Sequence, residues 1–210
     1  MSRNVGVSSR KEPQQARSNE LVVAVLDAAV QVLEAEGAQR FTTARVAERA
    51  GVSVGSLYQY FPNKAAILFR LQSDEWRRTS AMLRAILEDR SMPPGARLRA
   101  LVHAFICSEC EEAAIRIALD DAAPFYRDAP EAIEAHAESA GIVEAFLREC
   151  APRSSDAQRA LAGDLIKTTL SKVGSSFSAI PRTPDEIYTY ADALADMLCA
   201  YLERLAGDTA

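Results

Sequence analysis

The tripeptide Gly51-Val52-Ser53 constrains this chain more than any other feature, because it separates two short segments of helical spacing. Upstream, Arg45, Val46, Ala47 and Ala50 follow a Thr43 hydroxyl placed to cap a helix. Gly51 then supplies the left-handed backbone that ends a helix without a Cβ clash. Val52 fills the corner, and Ser53 suits the cap of a second helix. The stretch Thr42 to Phe61 therefore reads as a helix-turn-helix.

Geometry divides the second helix. Advancing about 100° per residue from an inward Leu57 places Val54, Leu57 and Phe61 on one side, facing Val46, Ala47 and Val52. Gly55, Ser56 and Gln59 fall on the other side, while Tyr58 and Tyr60 splay to left and right. Small and amide side chains on an exposed ridge approach base edges in a major groove, and flanking phenols reach the phosphates on its walls. Pro62 stops this helix, and Asn63 with Lys64 starts another with a cation in its first turn. A cation there opposes the helix dipole, which makes sense if a phosphate is its partner. The expected base contacts are Gln59, Ser56 and Gly55, and the expected phosphate contacts are Thr43, Tyr58, Tyr60 and Lys64. Arg45 suits either role, and Ser53 completes the DNA-facing set.

These residues resemble the helix-turn-helix of the TetR family of bacterial transcriptional regulators, which commonly reads T-x-x-x-I-A-x-x-A-G-V-S-x-G-x-L-Y-x-x-F followed by x-x-K. The matching positions are Thr42, Val46, Ala47, Ala50, Gly51, Val52, Ser53, Gly55, Leu57, Tyr58, Phe61 and Lys64. The run from Val25 to Gly37 is similar to the family's first helix, so the resemblance covers residues 19–79. Ala44 stands where some members carry a polar, base-reaching side chain, and Tyr60 replaces a frequent histidine.

The resemblance implies an all-α fold: a three-helix DNA-binding head over residues 19–79 and a helical ligand-binding and dimerisation domain over residues 80–210. It implies a ligand-responsive regulator, most often a repressor, that binds a near-palindromic double-stranded operator as a homodimer and answers a small-molecule effector. The helix that begins at Lys64 would carry the effector's signal to the head.

The net charge of −5 fits a DNA binder only once it is divided. Residues 1–75 hold nine Lys and Arg against eight Asp and Glu, whereas the remainder holds fifteen against twenty-one. Local cations for DNA come from Arg45, Lys64 and the N-terminal Arg3, Arg10, Lys11 and Arg17. Residues 1–18 are polar and contain Pro13, which suits a disordered basic arm. No apolar run is long enough for a membrane span and no basic-then-apolar signal segment opens the chain, so a cytoplasmic location without a membrane partner is expected. In that setting the four cysteines are expected as reduced thiols.

Helices are further expected over 19–36, from 64 to about 89, from 96 to about 120, over 131–150, from 156 to about 177 and over 184–205, with Ser91-Met92-Pro93-Pro94-Gly95 as a clear break. His103, Cys107 and Cys110 share one face of the helix that follows this break. Those types ligate metals, but a rise of about 1.5 Å per residue spreads the outer two by about 10 Å, too far for one ion without a bend. Core packing is the alternative, and a metal- or redox-sensing regulator of the same fold is the second reading. Glu109 continues an apolar stripe, either as a helix end reaching solvent or as a polar anchor in a pocket.

Trp76, His103, Cys107 and Tyr126 are the candidate pocket residues, and His136 is expected on a solvated face. Leu165, Thr169, Val173 and Ser176, with Leu194, Leu198 and Tyr201 on the last helix, form the expected dimer interface. No Gly-rich phosphate loop or catalytic constellation stands out, and no cofactor or fixed metal site is implied. A small helical enzyme or an adaptor that keeps the head as a relic is the reading of another class.

Overall fold

The computed structural model describes residues 16–125 and 141–207. The arm up to residue 15, Tyr126 and His136 lie outside the described residues. Among the described residues there are helices and turns and no strand, so the fold is all-α.

α1 (Ala16–Arg40) begins before the expected Asn19, and Gly37, at φ 73° and ψ 170°, breaks its helical path where the sequence placed its end. α2 (Thr43–Ala50) and α3 (Val54–Tyr58) follow, then α4 (Lys64–Leu87). α5 (Pro94–Glu111) starts with proline in its first turn, where the missing amide costs nothing. α6 (Ala113–Ala122) leads into a 3-10 turn (Ala123–Phe125). α7 is helical over residues 141–150, and α8 (Asp156–Ser178) and α9 (Pro184–Gly207) end the chain. Ser155 opens α8 with a capping box: its hydroxyl accepts from the Gln158 amide while the Gln158 side chain accepts from the Ser155 amide.

The helical stretch expected from 96 to about 120 is two helices, not one. Glu112, at φ −103° and ψ 16°, leaves the helical region and ends α5. The break separates compact units. Residues 16–77 with 114–125 form one unit, and residues 78–113 with 141–207 form the other. The division falls inside α4, between Arg77 and Arg78, and α6 groups with the head.

In the first unit Val25, Ala29, Leu33, Phe41, Val46, Leu57, Phe61, Ile67 and Leu68 make a closed core, and Ala118, Leu119 and Ala122 of α6 share it. Arg116 of α6 pairs with the buried Glu75 of α4 at 3.0 Å.

In the second unit α5 packs on both α8 and α9. Leu98, Leu101, Val102 and Ile106 join Ile166, Leu170, Ala191, Ala195 and Leu198 in one core. Arg97 is buried among them, 1% exposed. Its Nη1 donates to the Leu87 carbonyl at 2.6 Å, satisfying an oxygen that the end of α4 leaves open, and its Nη2 meets Glu149 of α7 at 2.5 Å.

Candidate nucleic-acid interface

The head builds its reading surface from local signals. Thr42, not Thr43, caps α2: its hydroxyl accepts from the Arg45 amide at 3.3 Å, in an extended backbone with φ −136° and ψ 150°. Gly51 takes φ 67° and ψ 26°, the left-handed conformation that its lack of a Cβ permits, and its amide returns to the Ala47 and Glu48 carbonyls. Ser53 caps α3 by accepting from the Ser56 amide at 3.0 Å, and the two hydroxyls meet at 2.8 Å.

α3 presents Ser53, Gly55, Tyr58 and Gln59 to solvent, with Ser56 half-buried. Thr43 of α2 and Tyr58 of α3 come together, their hydroxyl oxygens 3.1 Å apart. Two groups singled out separately as phosphate contacts thus form one polar point across the turn.

Other expectations need correction. Val54 does not face the core; it is 40% exposed at the open start of α3. Tyr60 does not splay outward. It is 7% exposed and belongs to the head's apolar core, because α3 ends at Tyr58 and the chain turns before the helical angle for Tyr60 applies. Arg45 forms an ion pair with Glu36 and donates to the Arg40 carbonyl at 3.0 Å, so it ties α2 to the end of α1.

Lys64 stands at the start of α4, capped by Asn63, whose Oδ1 accepts from the Ala66 amide at 2.9 Å. Its ammonium lies 4.2 Å from the centroid of the Phe125 ring. Sequence reasoning missed Phe125, and no signal marked it, since a ring far along the chain shows no periodic relation to Lys64.

The remaining candidates divide between the units. Trp76 packs half-buried against the first core, edge-on to Phe69 with centroids 6.4 Å apart. His103 belongs to the second unit, its Nε2 3.0 Å from an oxygen of Asp192 and its ring beside Tyr188. Cys107 and Cys110 are free thiols. Burial pushes both up from the ordinary thiol range, with nearby charge reinforcing it: Glu111 at Cys107, then Cys107 and Glu109 at Cys110. Protonated thiols are poor ligands and poor nucleophiles. Among the described residues no group of three His, Cys, Asp or Glu gathers at a metal's distance.

The expected dimer set also splits. Leu165 is 45% exposed and Ser176 is exposed, with Thr169 and Val173 half-buried. Leu194 and Leu198 are 7% and 2% exposed and belong to the chain's own core, with Tyr201 packed against it, because α5 covers that face of α9. The outward apolar side chains include Leu161 and Leu165 on α8 and Tyr188, Tyr190 and Met197 on α9.

Comparison with known proteins agrees with this architecture. Residues 25–71 match the family described as bacterial regulatory proteins, tetR family, and residues 93–205, more than half of the chain, match the tetracyclin repressor-like C-terminal domain. The chain is 36% identical over 78 residues to the HTH-type transcriptional repressor KstR of Mycolicibacterium smegmatis, covering 37% of this chain and 38% of that protein. It is 52% identical over 42 residues to the nucleoid occlusion factor SlmA of Vibrio campbellii, covering 20% and 21%. The chain thus spans well under half the length of these curated relatives. The transcriptional regulator FadR from Bacillus subtilis, solved in complex with stearoyl-CoA, shares the fold with a TM-score of 0.63 and 18% identity over 90% of this chain and 99% of that one. On the matched segments and the helix-turn-helix that they enclose, this chain belongs to the tetR family of bacterial transcriptional regulators.

Proposed function

We propose that this regulator is a homodimeric repressor, released from its operator when a small, mostly apolar effector binds its second unit. The observation that carries the DNA reading is the exposed ridge of α3, with Gly55 and Gln59 open to solvent beside the paired Thr43 and Tyr58 hydroxyls. A ridge so sparsely furnished lets backbone and amide groups come close to base edges. Gln59 and Ser56 read bases in this proposal; Thr43, Tyr58 and Lys64 hold phosphates. Arg45 supports the turn through Glu36, and the buried Tyr60 leaves the contact set.

Two such ridges in a dimer enter successive major grooves, about 34–36 Å apart. An effector that binds better to a conformer with another spacing weakens DNA binding by the same factor by which DNA weakens effector binding. The repressing direction is supported by the likeness to KstR, itself a repressor.

Footprinting and gel shifts on DNA flanking the protein's own gene test this. The expected result is one protected near-palindrome. Gln59→Ala costs about 1–3 kcal/mol on that site only, whereas Lys64→Ala weakens binding to every duplex and lowers the salt slope by about one unit. Binding without sequence preference overturns the operator reading. Mass spectrometry of small molecules retained by the purified protein, followed by release of DNA on adding them, tests the effector.

A further inference from the structure

Several cations of the head are held by carboxylates. Arg45 is paired with Glu36, and Arg70 with Asp74 at 2.9 Å. A carboxylate neutralises the cation it holds, so a phosphate has to displace it. Lys64 has no carboxylate partner among the described residues, and its ammonium rests instead over the Phe125 ring at 4.2 Å. Both residues belong to the first unit. A ring face attracts an ammonium through its quadrupole but carries no net charge. It therefore restrains the long lysine stem, sparing the entropy of fixing it later, and leaves the whole positive charge for another partner.

We infer that Phe125 is a positioning residue for DNA binding: its ring holds the Lys64 ammonium in place for a backbone phosphate. This rests on the reading of Lys64 as a phosphate contact. Phe125 closes the 3-10 turn directly after α6, so a displacement of α6 moves the ring beneath the ammonium and changes the strength of the contact. The residue thereby links the placement of α6 to affinity for DNA without touching DNA itself.

A phosphate contact is independent of sequence, so a mixed-sequence duplex serves as the probe. Binding of the full chain to a duplex of about 30 base pairs, long enough for two half-sites, is followed by fluorescence anisotropy across a salt series. Lys64→Ala weakens binding and lowers the salt slope by about one unit. Phe125→Leu weakens it by about 2- to 10-fold with the slope retained, because the charge is still present. In the Lys64→Ala background the same Phe125→Leu change shifts affinity by less than about 1.5-fold, and Phe125→Tyr, which keeps a ring face, recovers most of the loss.

An equal loss from Phe125→Leu in both backgrounds overturns the inference, since a packing role does not depend on Lys64. No loss in the wild-type background overturns it too. An unchanged salt slope for Lys64→Ala is a different failure: it removes the phosphate reading of Lys64 and the inference with it. If circular dichroism shows that Phe125→Leu does not fold, the cycle run with Phe125→Met decides by the same comparison.

Discussion

Glu109 shows how much one side chain depends on its neighbours. Its place in an apolar stripe left two readings open, and the structure buries it at 5% exposure. Room for it comes from Gly174 of α8, where an added Cβ would lie 2.9 Å from Glu109 Cγ and 3.1 Å from Phe105 Cε1. Gly174→Ala is therefore expected to lower stability by about 1–2 kcal/mol, the overpacking outweighing the better helix propensity of alanine. Gly95, in the first turn of α5, meets nothing within 4 Å, so Gly95→Ala is expected to be neutral or stabilising by about 0.5 kcal/mol. Thermal unfolding of the two variants checks the contrast, and a neutral Gly174→Ala would show that α5 and α8 are free to spread.

Among the elements, the junction of α4, α5 and α7 depends on a single cation. Arg97 is buried, bonded to the end of α4 and to Glu149, with the Phe146 ring 5.3 Å from its guanidinium carbon. Removing the carboxylate leaves that charge with a carbonyl and a ring face, and no counter-charge in contact among the described residues. Glu149→Ala is expected to cost about 2–3 kcal/mol, below the value for a fully buried pair because Glu149 keeps 36% side-chain exposure. Chemical denaturation measures it.

The same pair has a pH signature. Hydrogen bonding from Arg97 holds the Glu149 carboxyl below its ordinary range, with Arg90 adding to the effect. A depressed pKa in the folded state contributes stability above the unfolded value and loses it as pH falls through the folded one. Wild-type stability should therefore drop on acidification below about pH 4.3, the unperturbed value for glutamate, and Glu149→Gln should flatten that drop. Parallel acid dependence in both proteins would place the loss elsewhere.

At the scale of the whole molecule, the proposed dimer needs an apolar face that the chain leaves open. Leu161 and Leu165 on α8, at 65% and 45% exposure, and Met197 on α9, at 55%, supply it. Leu165→Glu is expected to raise the dimer dissociation constant at least about 10-fold, by burying an unpaired charge at the interface, while the chain's own core is untouched. Analytical ultracentrifugation reads the first effect and circular dichroism the second. A dimer that tolerates this change uses another surface.

Both cores are assembled from separated stretches, since α6 joins the first unit after α5 has joined the second. Helical periodicity showed that residues 96–120 have an apolar face, but not which neighbour covers it. For the same reason the α9 stripe, legible as apolar, was placed at a dimer interface although Leu194 and Leu198 lie beneath α5.

What the sequence determined by itself are the features decided within a few residues: the left-handed turn at Gly51, the Ser53 cap, the break in α1 at Gly37 and the exposed Gly55 and Gln59. Each follows from sterics or a hydrogen bond inside one turn of backbone. Only the tertiary structure decided that Tyr60 is buried, that Glu109 sits under Gly174, that Arg45 is neutralised by Glu36 and that the Lys64 charge rests on Phe125. Those depend on which distant surfaces meet, and a residue's own spacing carries no record of its partner across the core.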